Sequence, residues 1–176
     1  LKGREISGGT PFYPVAEALL QAYSDDPSWF ELIDPVWRME VARLVPALAD
    51  DAAPGALPVP DARGRFLEGL AIALLTAAGG GSLLFDDLQW FDSSSAELVA
   101  HVVRRAHRVR LFAATRSEEL AANASVQAAL AAIDRDGLLL RVPLEPLTGT
   151  DVLMLVRALS GSSGATVFSR RLHAAT

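Results

Sequence analysis

Two adjacent carboxylates, Asp86 and Asp87, follow the short apolar run Leu83-Leu84-Phe85. Such a run, stopping abruptly in acids, reads as a buried parallel strand with carboxylates at its carboxyl end. Ligands of open α/β sheets bind just beyond those ends. Magnesium takes oxygen ligands, keeps several waters, and is usually held by one or two carboxylates together with substrate phosphates. Asp86 therefore suits a metal-binding position, and Asp87 could polarise an attacking water. A plainer alternative, a solvated turn after a strand, stays open on these residues alone. A second apolar run, Val109 to Ala114, ends in Thr115-Arg116 and puts a guanidinium at another strand tip.

The elements that must position these groups follow from periodicity. Leu1 to Ile6 reads as the end of a strand. Pro11 and Pro14 sit where a helix starts, with Val15, Ala18, Leu19, Ala22 and Tyr23 on one face. Trp37, Val41, Leu44 and Val45 form a second stripe that Pro46 should end or kink. Asp50 to Asp61, rich in proline, reads as a loop. The next helix carries Phe66, Leu67, Leu70, Ala71, Leu74 and Leu75 and stops at Gly79-Gly80-Gly81. Asp92 or Ser93 caps a helix whose apolar face is Leu98, Val99, Val102 and Val103. Asp86 to Arg116 then has the span of one βαβ unit. Ser125 opens a helix that Gly137 ends, and Leu138 to Val142 reads as a third strand. Thr148 and Asp151 form a capping box, with Leu147 and Val152 placed as a hydrophobic staple, ahead of a helix that buries Val152, Leu155, Val156 and Leu159. A last helix covers Thr166 to Ala175. Strands alternating with helices predict an α/β fold with a parallel sheet flanked by helices.

Composition narrows the classes. Half of the 176 residues are apolar, which suits an ordinary packed domain rather than a disordered one. Runs of apolar residues stop well short of the ~18 that would mark a membrane span, and nothing resembles an export signal. Absence of cysteine removes thiolate zinc sites, disulfides and cysteine nucleophiles, and suits a cytoplasmic setting. With a net charge of -5 the chain is a poor nucleic-acid surface; its one basic cluster is Arg104, Arg105, Arg108 and Arg110. His101 and His107 lack the spacing of a helical metal pair.

Several of these stretches together are similar to one family. Asp86-Asp87-Leu88-Gln89-Trp90-Phe91-Asp92, followed by Ser95, Glu97 and Leu98, resembles the second nucleotide motif of the STAND class of AAA-related P-loop ATPases. Ala114-Thr115-Arg116-Ser117-Glu118-Glu119-Leu120 resembles the next strand of that domain, and Gly137 to Leu140 with Pro143-Leu144-Glu145-Pro146-Leu147 the strand and loop after it. The similarity is strongest from Leu83 to Leu159 and points to the ATPase segments of large bacterial transcriptional regulators of LuxR or BTAD type. It implies ATP and Mg²⁺ as cofactors. Asp86 would hold the metal through water, Asp87 would be the candidate catalytic base, and Arg116 would sense the γ-phosphate. For Arg116 a surface ion pair with Glu118 or Glu119 is the simpler alternative, and for Trp90 packing against the following helix.

One part of the family pattern is missing. Gly-x4-Gly-Lys-Ser/Thr, which cradles phosphates in backbone N–H groups and a lysine, does not occur. Gly3 to Thr10 mimics its spacing, but Gly9 stands where the lysine belongs and prolines crowd the helix start. The resemblance places Leu1 just after the phosphate loop. It therefore predicts a P-loop NTPase fold of the AAA type with its P-loop strand missing, and a gap between the strands ending at Arg116 and Val142. Residues 1–160 would be the incomplete ATPase core and 161–176 the start of a following helical region. The expected function is an ATP-binding and hydrolysing switch module that works with other domains of a larger regulator and is inactive alone. Its rival is a non-catalytic module that uses the same fold for partner binding or self-association.

Overall fold

The computed structural model describes residues 1–4, 10–49, 62–160, 168–169 and 171–172. The predicted loop at 50–61 and most of the last predicted helix lie outside the described residues. The chain divides into two compact units, Leu1–Leu139 and Leu140–Thr176.

The first unit is mixed α/β and mostly helical. α1 (Tyr13–Asp25) has Pro14 in its first turn, and its Val15 and Leu19 are fully buried. A one-turn α2 (Ser28–Glu31), absent from the periodicity reading, buries Trp29 and Phe30. α3 (Pro35–Leu44) is capped by Asp34 and gives way at Pro46 to a 3₁₀ turn, as the proline predicts. α4 (Ala62–Ala77) buries Leu67, Leu70, Ala71 and Leu74. It crosses α3 closely at Gly69, where a Cβ would stand 2.7 Å from that of Glu40.

β1 (Ser82–Phe85), α5 (Ser93–Arg105) and β2 (Arg110–Ala113) form the predicted βαβ unit, with the strands parallel and Leu84 in register with Phe112. Before β1, Lys2 makes a parallel bridge to Asp86. The Asp86 N–H donates to the Leu1 carbonyl at 2.8 Å and the Gly3 N–H to the Asp86 carbonyl at 2.9 Å. Three parallel segments therefore lie side by side, with β1 in the middle. The core gathers Phe85 with apolar residues of α1 to α5 and α7.

Two expectations about the strands need correction. Leu138–Val142 is not a strand. The N–H groups of Gly137 and Leu138 turn back to the carbonyls of Asp134 and Ile133 and close the end of α7 (Ala124–Arg135). Leu140 and Val142 are exposed. Without a ladder partner, an apolar alternation has nothing to hold it extended. Nor are the strands buried on both faces. Phe85 is 2 % exposed, whereas Leu84 and Phe112, side by side on the opposite face, are 50 % and 56 % exposed. In β2 the N–H groups of Arg110 and Ala114 point to β1, so those of Leu111 and Ala113 point outward and meet no strand among the described residues. Among the described residues the sheet thus has two strands, with Leu84 and Phe112 on its uncovered face.

In the second unit, α8 (Gly149–Ser160) carries the predicted capping box. Asp151 Oδ2 accepts from the Thr148 N–H at 2.9 Å and its hydroxyl at 2.6 Å, and Thr148 Oγ1 accepts from the Asp151 N–H at 3.3 Å. Val152 and Val156 are buried, but Leu155 and Leu159 are exposed, contrary to the helix face read from the sequence. No described helix is long and apolar enough to cross a membrane.

Candidate functional site at the strand tips

Asp86, Asp87 and Arg116 lie at the same carboxyl end of neighbouring parallel strands, where the sequence pattern places them, but the Arg116 guanidinium is directed to Glu119 and Trp90 and the acids to Lys2. The local folding reasons are specific. Asp87 takes a left-handed conformation, with φ of 51°, that turns the chain out of β1 into a 3₁₀ turn at Leu88–Trp90. Its N–H donates to Asp86 Oδ1 at 3.0 Å, which stabilises that turn. Acidic residues tolerate this backbone region better than most. The turn is pinned to β2 because the Leu88 N–H donates to the Ala114 carbonyl at 3.0 Å. On the other side, Gly3 runs so close that a Cβ would collide with the Asp87 carbonyl and crowd Phe91 and Trp90.

Gln89, whose sequence context signals no role, organises the tip. It is 3 % exposed. Its Oε1 accepts from the Thr115 hydroxyl at 3.1 Å and from the Arg116 N–H at 3.2 Å. Its Nε2 donates to Asp87 Oδ1 at 3.4 Å and to Glu119 Oε2 at 3.3 Å. A buried amide saturated in this way fixes both strand ends relative to one another. Asn123 adds a second clamp. It caps α7 through the Val126 N–H and donates Nδ2 to the carbonyls of Gln89 and Phe91 at 2.8 and 2.9 Å.

The charged groups are already engaged. Lys2 Nζ lies 3.4 Å from Asp87 Oδ2 and 3.7 Å from Asp86 Oδ2. Arg116, just ahead of the one-turn α6 (Ser117–Leu120), pairs with Glu119 of that turn at 3.0 Å and lies over the Trp90 ring at 5.8 Å. This is the ion pair weighed from the sequence, and it is exposed. Asp92 caps α5 through the Ser94 and Ser95 N–H groups and also accepts from the Phe12 N–H, tying the start of α1 to the same region.

As a metal site the tip is poorly furnished. No cluster of three or more His, Asp or Glu side chains suited to a metal occurs among the described residues, and the two available carboxylates share an ammonium. Magnesium at two carboxylates normally needs substrate phosphates as well, so the residues present do not fit that ion by themselves.

The basic cluster lies away from the tip. Arg104 pairs with Asp136 at 2.8 Å and Arg105 with Glu68 at 2.6 Å; Glu68 also accepts from His101 at 2.9 Å. Arg105, His107 and Arg108 edge a recess with Ile72, Leu75 and Val109 at the opposite end of the strands. No protein-family model matches the chain, and no curated protein or solved structure matches it significantly.

Proposed function

We propose that the chain is part of an ATP-dependent switch module of the P-loop type, of the kind built into cytoplasmic bacterial regulators. One observation carries this reading. The segment at Lys2, then β1, then β2 lie parallel and adjacent, and Asp86, Asp87 and Arg116 are at the same end. Nucleotide sites of parallel α/β sheets are built at that end. In the module, the acids would polarise water near a phosphate, and Arg116 would exchange Glu119 for phosphate oxygens. Trp90 would keep the guanidinium beside the cleft.

These 176 residues hold no phosphate-cradling loop, so the switch does not work from this segment alone. Titrating the chain with a fluorescent ATP analogue and magnesium should show no saturation below the millimolar range. Low-micromolar binding would overturn the incomplete-site reading. An in-frame Gly-x4-Gly-Lys-Ser/Thr ahead of Leu1 in the coding sequence is expected, and a stop codon there would count against the switch.

A second reading rests on the bare side of the sheet. Half-exposed Leu84 and Phe112 beside the open edge of β2 suit a module that binds a partner or a second copy. Light scattering on the nucleotide-free chain separates the two, because a discrete oligomer is expected only of an interaction module.

A further inference from the structure

The cation nearest to the acid pair belongs to the chain itself. Lys2 is held opposite Asp86 by two ladder hydrogen bonds, and the close passage of Gly3 beneath the Asp87 turn fixes the register. From that place its ammonium reaches Oδ2 of both aspartates, at 3.4 and 3.7 Å. Asp86 Oδ1 is meanwhile occupied by the Asp87 N–H and Asp87 Oδ1 faces the Gln89 amide. The oxygens best placed to bind a metal are those that Lys2 neutralises. A divalent ion on them would stand beside an ammonium of like sign. We propose that Lys2 is the resident counter-cation of Asp86 and Asp87, and that it closes the strand tip to free divalent ions.

This concerns the same tip as the switch reading but does not depend on nucleotide binding, because the metal alone is the probe. Lys2 is mostly exposed, so its side chain can be exchanged without opening the core. Mn²⁺ binding to the full chain is followed by electron paramagnetic resonance at low ionic strength, with circular dichroism as a check on folding. Wild type should bind Mn²⁺ only weakly. Lys2→Met should bind about two- to fivefold more tightly, the range expected of an exposed charge pair, and Lys2→Arg should match wild type. Lys2→Met combined with Asp86→Asn should lose the gain. If Lys2→Met perturbs folding, Lys2→Gln removes the same charge and serves in its place. Equal affinity of wild type and the neutral variant overturns the proposal, as does a gain that survives Asp86→Asn. Absence of ATP binding would leave it standing, so the two proposals fail separately.

Discussion

The side-chain carbonyl of Gln89 accepts the backbone N–H of Arg116 at 3.2 Å. This joins the turn after β1 to the end of β2 beneath an almost fully buried amide. Asp87 and Glu119 hang from the other end of that amide, so one side chain sets the positions of three charged residues. Replacing it by Leu leaves the Thr115 hydroxyl and the Arg116 N–H without their acceptor. Gln89→Leu should cost about 1–3 kcal/mol of stability in a urea titration. The Arg116 amide should also lose hydrogen-exchange protection before the core amides do.

Gly3→Ala tests the tight passage at the acid turn. A Cβ there meets the Asp87 backbone, which cannot rotate away as a flexible side chain would. The expected loss is about 1–3 kcal/mol, with chemical-shift changes centred on Asp87 and Trp90. Gly69→Ala should be comparable in size but felt at Glu40 and the α3–α4 crossing.

Asp92→Ala removes the cap of α5 and the acceptor of the Phe12 N–H together. A lost cap alone costs about 0.5–2 kcal/mol. Thermal unfolding should place Asp92→Ala at the upper end of that range and Asp92→Asn, which can still accept, well above it in stability.

The start of α8 should respond to acid. The Thr148 hydroxyl and N–H hold the Asp151 carboxyl below its ordinary value of 3.8. A carboxyl depressed in the folded state contributes stability that is present above the unfolded value and lost as pH falls through the folded one. Protection of the amides in the first turn of α8, corrected for the intrinsic pH dependence of exchange, should therefore be steady at neutral pH and fall only as the pH drops below about 4. Thr148→Val should weaken that dependence by the hydroxyl's share and leave the share of the backbone N–H. An unchanged profile in this variant would rule out the capping box as its source.

Phe112→Lys should leave stability within about 0.5 kcal/mol, because the ring is 56 % exposed. Self-association seen by light scattering should fall if the bare sheet face mediates it.

Much of this architecture was legible from sequence because it is local. The β1–α5–β2 unit, the proline starts of α1 and α3, and the Thr148–Asp151 cap depend on residues close together in the chain. So did the placement of Asp86, Asp87 and Arg116, since an acid pair ending one strand and an arginine beyond the next must share an end of a parallel sheet. The Leu138–Val142 strand failed because apolar content announces burial, whereas a strand requires a neighbour that no local pattern reveals. Gln89 and Lys2 were missed as site residues for a related reason. A lone glutamine and a lone lysine carry no spacing signal, and both gain their roles from partners many residues away in sequence. Short α2 and α6 are held by packing or side-chain contacts and lack the length for a periodic signature.

The hydrogen bond from the Phe12 N–H to Asp92 spans 80 residues, and the bridge of Lys2 to Asp86 spans a similar stretch. Both must close very large loops, and such closures are slow and come late when they await a preformed surface. The βαβ unit, whose strands are joined by a single helical crossover, can assemble before them. During folding the chain should therefore pass through a stage in which Asp86 and Asp87 are already presented at a strand end, while the edge that Leu1 to Gly3 will occupy is still vacant.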